Sequence, residues 1–200
     1  MPRTLGDASP PDDSFSLDHF VNLYLAKDDP WDNATKWSDQ RKYAVTLASL
    51  PRERYRRAYE PGCAVGILTR SLAPRCDELL ATDAVPAAVE QARAAVGDLP
   101  GVTVEVAVLP ADLPTGTFDL IVIGDLLYYL GAEDLRATLD GLVARLEIGG
   151  ELASVHFRDR EGGGYDGFNA HGTLLSRPDV EPLVHHEDDW FLLDIVRRIS

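Results

Sequence analysis

The chain has 200 residues, of which 45% are hydrophobic and 26% are charged, and its formal net charge is −14 at pH 7. This length corresponds to about one domain and is sufficient to bury a core. The acidic balance argues against nucleic acid as a partner, because proteins that bind a phosphate backbone usually carry basic patches. It suits an enzyme acting on a neutral or cationic small molecule, although a well-solvated surface would give the same charge.

Cysteine usage and hydropathy exclude further classes. The two cysteines, Cys63 and Cys76, have no C-x-x-C spacing, so the sequence indicates neither a zinc site nor a disulfide framework. No apolar run approaches membrane-spanning length, and residues 1–11 lack the apolar segment of a signal peptide. We therefore expect no metal site, no membrane partner and a cytoplasmic location.

The N-terminal region predicts a leader and a helical cap. Residues 1–14 combine proline, glycine and aspartate, a composition typical of a disordered leader. Apolar residues recur at helical spacing over 17–25, directly after Ser16, a suitable N-cap. A second helix is predicted from about residue 33 to residue 49. We expect residues 15–50 to form a cap over the core that follows.

A glycine-containing turn lies between the first predicted strand and the next helix. From Glu60 to Gly66 it has the pattern E-x-G-x-A-x-G. Glycine reaches positive φ freely and lets a backbone pass close to a ligand. The helix after the turn points unpaired N–H groups at the same crevice. The charged segment before the strand, residues 52–57, is expected to be a solvated surface loop.

Other nucleotide sites also use such a turn. A dinucleotide fingerprint read from Gly62 requires glycines at positions 64 and 67, where the chain has Ala64 and Ile67. A P-loop requires Gly-Lys-Ser/Thr, and no such tripeptide follows. These differences weaken the interpretation as an NAD-dependent oxidoreductase. Taken alone, the turn is as compatible with a structural role as with ligand binding.

Residues 51–200 predict strands that alternate with helices. The second strand ends at Asp83, and the fourth, an apolar run typical of a strand buried on both faces, ends at Asp125. Glycines 149–150 are expected to end a helix, and the fifth strand is expected to begin at Glu151. This alternation predicts an α/β fold with a doubly wound, Rossmann-like parallel sheet.

The C-terminal region is predicted to close this sheet. A glycine-rich loop at 160–167 would lie over its carboxyl edge, followed by a short helix over 169–176. Residues 183–186 and 190–198 are expected to form an antiparallel strand pair at the edge. With the cap, these elements give a single domain over residues 15–200.

Three acidic residues end three of the parallel strands. In an open α/β sheet the ligand binds outside the carboxyl ends of the strands, so Glu60, Asp83 and Asp125 should share one crevice. Asp83 lies one strand–helix–strand repeat after Glu60. Because a carboxylate accepts two hydrogen bonds side by side, Asp83 is placed to bind both ribose hydroxyls of an adenosyl group.

These strand ends resemble the class I S-adenosylmethionine-dependent methyltransferases. Motif I of those enzymes is (D/E)-x-G-x-G-x-G, and the chain departs from it at Ala64. The run F-D-L-I-V-I-G-D that ends at Asp125, and the later L-x-x-G-G, are also similar to that family.

Several short segments extend the pattern: D-P-W at 29–31, R-K-Y at 41–43, L-P-R at 50–52, E-P-G-C at 60–63, L-A-P-R-C-D at 72–77, Y-Y-L at 128–130 and V-H-F at 155–157. Over about residues 24–175, their combination resembles the nodulation protein S (NodS-like) methyltransferases more closely. The nodulation enzyme N-methylates the deacetylated glucosamine of a chitooligosaccharide, and many relatives have other acceptors. The family usually has glutamate where this chain has Asp125.

The resemblance implies S-adenosyl-L-methionine as cofactor. It also implies a small-molecule acceptor methylated at N or O, such as an amino sugar, another saccharide or a natural product. Glu60 would accept from the methionyl amine, and Val108 with Leu109 would flank adenine. The expected cofactor-binding residues are Glu60, Gly62, Cys63, Ala64, Gly66, Asp83, Ala84, Val108, Leu109, Gly124, Asp125, Trp31 and Tyr43.

The candidate catalytic residues follow the fourth and fifth strands. His156 is the first candidate for a general base, because it ends a strand and an imidazole pKa suits proton removal near neutrality. His171 is the second candidate, while Asp125 and Tyr128 would orient the acceptor. The adjacent histidines 185–186 are expected to face solvent, since they lack the i, i+4 spacing of a helical metal site.

Two alternatives to the enzyme remain at this stage. A binding module that keeps the fold without catalysis is the competing class, and the acidic residues at 60, 83 and 125 argue against it. An NAD-dependent oxidoreductase is the other alternative. A monomer or homodimer is expected.

Overall fold

The computed structural model describes residues 13–158 and 167–200. Most of the predicted leader and of the glycine-rich loop therefore lies outside the described residues. The helices are α1 Leu17–Ala26, α2 Trp37–Ser49, α3 Ile67–Leu72, α4 Pro86–Val96, α5 Ala132–Arg145 and α6 Phe168–Leu175. The strands are β1 Tyr55–Pro61, β2 Cys76–Asp83, β3 Val102–Val106, β4 Phe118–Gly124, β5 Leu146–Phe157, β6 Val180–Glu187 and β7 Phe191–Arg198.

The strands form one mixed sheet in the order β3-β2-β1-β4-β5-β7-β6. Strands β1 to β5 pair in parallel, whereas β7 is antiparallel to both β5 and β6. The order reverses between β1 and β4, so a crevice opens there at the carboxyl ends of the strands. The predicted α/β class, the doubly wound sheet and the antiparallel C-terminal pair are confirmed.

Strand β4 shows why the sheet is covered on both faces. Its first six residues are buried. Ile121 and Ile123 pack on the side of α5 and α6, and Leu120 and Val122 pack on the side of α2 and α3. Successive side chains of a strand point to opposite faces, so a continuous apolar run requires a helix layer on each side.

The two N-terminal helices cover the crevice, as the helical spacing predicts. The side chain of Ser16 caps α1 by accepting from the backbone N–H of His19 at 3.3 Å. Helix α1 packs on α4, while α2 packs on β5 and β7. The second helix begins at Trp37, later than the predicted position near residue 33.

Two predicted boundaries are wrong. The segment 52–57 is only partly a surface loop, because β1 begins at Tyr55, whose buried hydroxyl donates to Glu151 at 2.6 Å. Glycines 149–150 do not end a helix. They lie inside β5, where the pairing with β4 shifts register between Phe118 and Leu120. A diglycine allows this irregular strand as readily as a helix stop.

Gly66 and Gly149 form a matched pair for measuring the constraint at the glycine turn. Both have φ near +80°, at 79° and 80° respectively. A Cβ on Gly66 would lie 2.9 Å from Ala92 Cα, whereas one on Gly149 would meet nothing within 4 Å. Gly66→Ala should therefore lower the free energy of unfolding by about 2–4 kcal/mol, and Gly149→Ala by only about 1–2 kcal/mol.

Urea unfolding of the two variants measures this difference. Equal losses of unfolding free energy in the two variants would show that α3 can move away from α4 without a cost in stability.

Candidate functional site

A cavity of about 220 Å³ lies at the carboxyl ends of β1, β2 and β4, beneath α1 and α2. It is the site that the strand-end carboxylates predict. The predicted residues that line it are Trp31, Tyr43, Glu60, Gly62, Cys63, Ala64, Asp83, Ala84, Val108, Leu109, Gly124, Asp125 and Tyr128. Gly66, His156 and His171 are not part of its lining.

The glycine turn forms one wall of the cavity. Gly62, Ala64 and Gly66 all have positive φ, at 72°, 48° and 79°. Ala64 therefore has the left-handed conformation that a glycine would adopt at the middle position of the motif. Gly66 serves packing, since it lies against Ala92 and begins α3.

Asp83 holds this turn in place. Its Oδ2 accepts from the Ala64 N–H at 2.9 Å and its Oδ1 accepts from the Val85 N–H at 3.0 Å. Burial raises the pKa of Asp83, and these backbone hydrogen bonds oppose the shift. Each carboxylate oxygen can accept a second hydrogen bond, so the carboxylate can also receive donors from a ligand.

Glu60 is a buried carboxyl group with an unsatisfied oxygen. The side chain is only 2% exposed, and no donor in the described ranges reaches its Oε2. Burial raises the pKa of Glu60 to about 8; the nearby Thr69 hydroxyl opposes the shift, and the charge of Asp83 adds to it. A buried acceptor without a donor costs free energy, so the site favours a ligand that brings an N–H or O–H group to Glu60.

A charge cluster joins the cap to the end of β4. Lys42, on α2, is fully buried, and its Nζ binds Asp39 Oδ1 at 2.9 Å and also binds Asp125 Oδ2. The Oδ1 of Asp125 accepts from the Phe157 N–H at 2.8 Å, and Nζ lies 3.8 Å from the centroid of the Phe157 ring. Asp125 has φ +49°, which turns its carboxylate back toward the cap.

One oxygen of this cluster remains without a hydrogen bond. Within the residues that the structure describes, Asp39 Oδ2 has no hydrogen-bond partner, and the Lys36 Nζ lies 3.9 Å away. Burial raises the pKa of Asp39 although the ammonium of Lys42 opposes the shift. Asp39 and Lys36 both line the cavity. Sequence reasoning missed both Asp39 and Lys42. The R-K-Y segment at 41–43 was a signal for Lys42 alone.

Helix α1 supplies Phe20 and Tyr24 to an aromatic wall, of which sequence reasoning predicted Trp31, Tyr43 and Tyr128 and missed the other rings. The rings that line the cavity are Phe15, Phe20, Tyr24, Trp31, Tyr43, Tyr128, Tyr129 and Phe157. Phe20 meets Tyr129 edge-on at 5.0 Å, and Tyr24 meets Trp31 at 5.8 Å. Apolar rings at helical spacing usually indicate only a packed face, so the pattern over residues 17–25 contains no separate sign that these rings line a cavity.

Helix α1 is tied down at both ends. The backbone N–H of Phe15 donates to the Tyr129 carbonyl at 2.9 Å, and Ser14 Oγ binds both Asp134 and the Gly131 N–H. Beyond the other end, Gln91 on α4 donates to the carbonyl of Asp28 at 2.8 Å. The helix thus lies across the mouth of the cavity.

His156 and His171 belong to a buried hydrogen-bond chain instead of the cavity. The Leu127 N–H, which can only donate, lies 3.1 Å from His156 Nε2, so this nitrogen is the acceptor. The proton of His156 is therefore on Nδ1, which lies 3.1 Å from His171 Nε2. His171 Nδ1 in turn contacts Asp194 Oδ2 at 2.5 Å.

This arrangement gives no support to the predicted general-base roles of the two histidines. Both rings are fully buried, and the lone pairs that a base would use accept hydrogen bonds within the chain. His185 extends the chain to the surface, with Nδ1 2.8 Å from Asp194 Oδ1 and a side chain 49% exposed. The ring of His186 stacks on Phe191.

The described ranges contain neither a metal-ligand cluster nor a membrane-spanning helix. No group of three or more His, Cys, Asp or Glu residues there could hold a metal ion. None of the helices in that part of the chain has both the length and the apolar character to cross a membrane.

The sheet order, the antiparallel pair and the capped crevice are those of the Rossmann-like class I methyltransferase fold. Within this class, a family model for nodulation protein S (NodS) matches residues 16–160. The chain is 33% identical over 141 residues to nodulation protein S of Rhizobium tropici, a match that covers 70% of this chain and 59% of that protein. The chain belongs to the NodS family.

Further relatives agree. Nodulation protein S of Bradyrhizobium diazoefficiens is 36% identical over 124 residues, which are 61% of this chain and 59% of that protein. The chain spans about 59–63% of the length of the curated relatives it matches.

Two solved structures are similar over most of the chain. The N-methyltransferase NodS from Bradyrhizobium japonicum WM9, in complex with S-adenosyl-L-homocysteine, has a TM-score of 0.79 at 25% identity and covers 91% of this chain and 98% of that one. A Pseudomonas syringae protein assigned as a methyltransferase has a TM-score of 0.73 at 42% identity, and the match covers 82% of this chain and 100% of that one.

The buried histidine chain predicts loss of stability in acid. Burial, with lesser contributions from His171 and Lys42, lowers the pKa of His156 well below 6.5. Below that pH the unfolded chain binds a proton at this position and the folded chain does not, so stability falls as the pH falls. The free energy of unfolding should drop by about 1.4 kcal/mol per pH unit from this residue.

Urea unfolding of the wild type and of His156→Gln checks this expectation. Between pH 6.5 and pH 5.5 the variant should lose about 1 kcal/mol less than the wild type, because the imidazole of the unfolded chain is already half protonated at pH 6.5. Between pH 8.5 and pH 7.5 His156 is neutral in both states, so the two proteins should show the same change. If both proteins lose the same free energy of unfolding between pH 6.5 and pH 5.5, the ring of His156 accepts a proton in the folded protein.

Proposed function

We propose that the chain is an S-adenosylmethionine-dependent methyltransferase with a small-molecule acceptor. The observation that carries this proposal is the unsatisfied Glu60 Oε2, buried beside Asp83 at the switch point of the sheet. An amino group would satisfy Glu60, and a ribose would supply the donors that Asp83 can still accept. The residues present therefore fit an adenosyl amino acid. The NodS structure with S-adenosyl-L-homocysteine supports the same assignment.

When bound, S-adenosylmethionine supplies an activated methyl group on a sulfonium. The residues of the chain then have positioning roles. Glu60 holds the amine and Asp83 holds the ribose, while Val108 and Leu109 line the side of the cavity where the adenine would lie. Gly62 has no side chain to obstruct the ligand. The site also leaves little room for one, because a Cβ there would lie 3.2 Å from the Leu126 side chain.

The charge cluster of Lys36, Asp39, Lys42 and Asp125 marks the acceptor end. Two cations face two carboxylates there, so the cluster is close to neutral and suits an acceptor that binds as an uncharged amine or hydroxyl. Asp125 and Tyr128 orient the acceptor. Asp39 takes the proton that leaves it, because Oδ2 has no hydrogen bond and burial raises its proton affinity.

An amine is the favoured acceptor. The lone pair of a neutral amine forms the new bond to the methyl carbon, and the C–S bond breaks with its electron pair on sulfur. The ammonium product then releases one proton to Asp39. The similar structure from Bradyrhizobium japonicum WM9 is that of an N-methyltransferase, which supports transfer to nitrogen. The aromatic wall suits a ring-bearing acceptor such as an amino sugar.

The domain division, the cytoplasmic location and the monomeric or dimeric state stay predictions.

Calorimetry with S-adenosylhomocysteine and, separately, NAD tests the cofactor. We expect binding of the former alone. Because the pKa of Glu60 is raised to about 8 in the free protein, and an ammonium contact favours the carboxylate, binding at pH 7 should release protons. Titrations in buffers of different ionisation enthalpy measure this release.

Glu60→Gln is the matched variant, because it keeps the shape of the side chain and cannot titrate. Its binding should release fewer protons. Absence of S-adenosylhomocysteine binding by the wild type would overturn the proposed function, and NAD binding would favour the oxidoreductase.

The role of Asp39 is tested by labelled methyl transfer to chitosan oligosaccharides, small amines and phenols. With the acceptor that takes up most label, Asp39→Asn should lower kcat by about 10²-fold or more, as loss of a general base does, and leave the affinity for S-adenosylhomocysteine unchanged. Asp188→Asn is the control. Asp188 forms an ion pair at 2.6 Å with Arg41, which lies on α2 like Asp39, but Asp188 does not line the cavity.

Equal activity of Asp39→Asn and the control would remove the proton-accepting role of Asp39. Cofactor binding without label transfer to any acceptor would instead favour the non-catalytic module.

A further inference from the structure

Tyr24, near the C-terminal end of α1, is buried over the cavity. The residue is 7% exposed, and its ring packs with Val65 of the glycine turn and with Val85 and Ala88 at the start of α4. It meets Trp31 edge-on. Tyr24 thus spans the turns that follow β1 and β2, the two turns that Asp83 links.

The hydroxyl of Tyr24 is unsatisfied. Among residues 13–158 and 167–200, no donor or acceptor is within hydrogen-bond distance of its Oη, which is shielded from solvent. Burial first, and then the charge of Asp83, raise the pKa of Tyr24 above its usual value, so the group stays a neutral donor. A phenylalanine would pack equally well without the cost of burying an unpaired hydroxyl.

The chemistry of Asp83 indicates what this hydroxyl meets. A carboxylate can only accept, so a ribose hydroxyl bound to Asp83 must donate its proton there. Its oxygen then has free lone pairs and needs a donor. Tyr24 is a neutral donor close enough for its pKa to respond to Asp83, on a helix that covers the same part of the cavity.

We propose that Tyr24 is a cofactor-binding residue that donates a hydrogen bond to a ribose hydroxyl held by Asp83. The inference rests on the proposed function and adds a cap residue to the carboxylates of the core. The ribose then forms hydrogen bonds on two sides, to an acceptor on β2 and to a donor on α1. Binding of the ligand thereby stabilises the packing of α1 over the cavity.

Two ligands separate the ribose from the amino acid end. S-adenosylhomocysteine contains both, whereas 5′-methylthioadenosine keeps the ribose and adenine and lacks the amino acid. Tyr24→Phe should weaken the binding of both ligands about 3- to 10-fold, the effect of one lost hydrogen bond. Glu60→Gln should weaken the binding of S-adenosylhomocysteine and leave that of 5′-methylthioadenosine unchanged. Calorimetry or equilibrium dialysis measures these dissociation constants.

A stability measurement distinguishes ligand binding from a structural role. Without ligand, Tyr24→Phe should unfold at the same or a higher urea concentration than the wild type, because it removes an unpaired buried hydroxyl. Tyr59→Phe is the control. Its hydroxyl is 3.0 Å from Thr82 Oγ1, so that variant should lose stability and keep both affinities.

The outcomes are distinct. A wild type that does not bind S-adenosylhomocysteine overturns the proposed function and this inference with it. A wild type that binds, combined with unchanged affinities in Tyr24→Phe, overturns the inference alone. If Tyr24→Phe binds S-adenosylhomocysteine more weakly but binds 5′-methylthioadenosine as the wild type does, the hydroxyl lies at the amino acid end, and the ribose contact is overturned. A less stable free Tyr24→Phe protein would show that the hydroxyl has a partner in the fold.

Discussion

The two backbone hydrogen bonds accepted by Asp83 are the constraint on which the rest of the site depends. One fixes the Ala64 N–H in the turn after β1, and the other fixes the Val85 N–H in the turn after β2. The two turns are thereby held at a set separation, and the cavity lies between them and the end of β4. Under the proposed function the same carboxylate also accepts from the ligand, so the group that shapes the cavity would take part in binding.

Buried charge in this protein is compensated in two different ways. Lys42 has two carboxylate partners and an aromatic face, so its desolvation is offset within the fold. Glu60 has no such partner in the described residues, and burial keeps its proton on near neutrality. The first arrangement fixes α2 to the sheet whether or not a ligand is bound. The second leaves a position that, under the proposed function, the amine of the ligand would compensate.

The sequence allowed prediction of what depends on strand ends and periodicity. Glu60, Asp83 and Asp125 could be placed together because parallel strands bring their carboxyl ends to one edge. The contacts of Lys42 could not be predicted, since they join a cap helix to a strand end 83 residues later in the chain. His156 was placed at the correct strand end but on the wrong face. Adjacent strand residues point in opposite directions, so Phe157 lines the cavity and His156 faces α6.

The fastening of α1 has a kinetic consequence. The helix lies over the cavity and is held at one end by Ser14 and Phe15 and beyond the other by Gln91. A ligand as large as an adenosyl amino acid that passes beneath α1 requires one of these attachments to open. The residence time of the bound molecule is then governed by the opening rate of a ten-residue helix, so exchange of product for fresh cofactor can limit turnover even when the chemical step is fast.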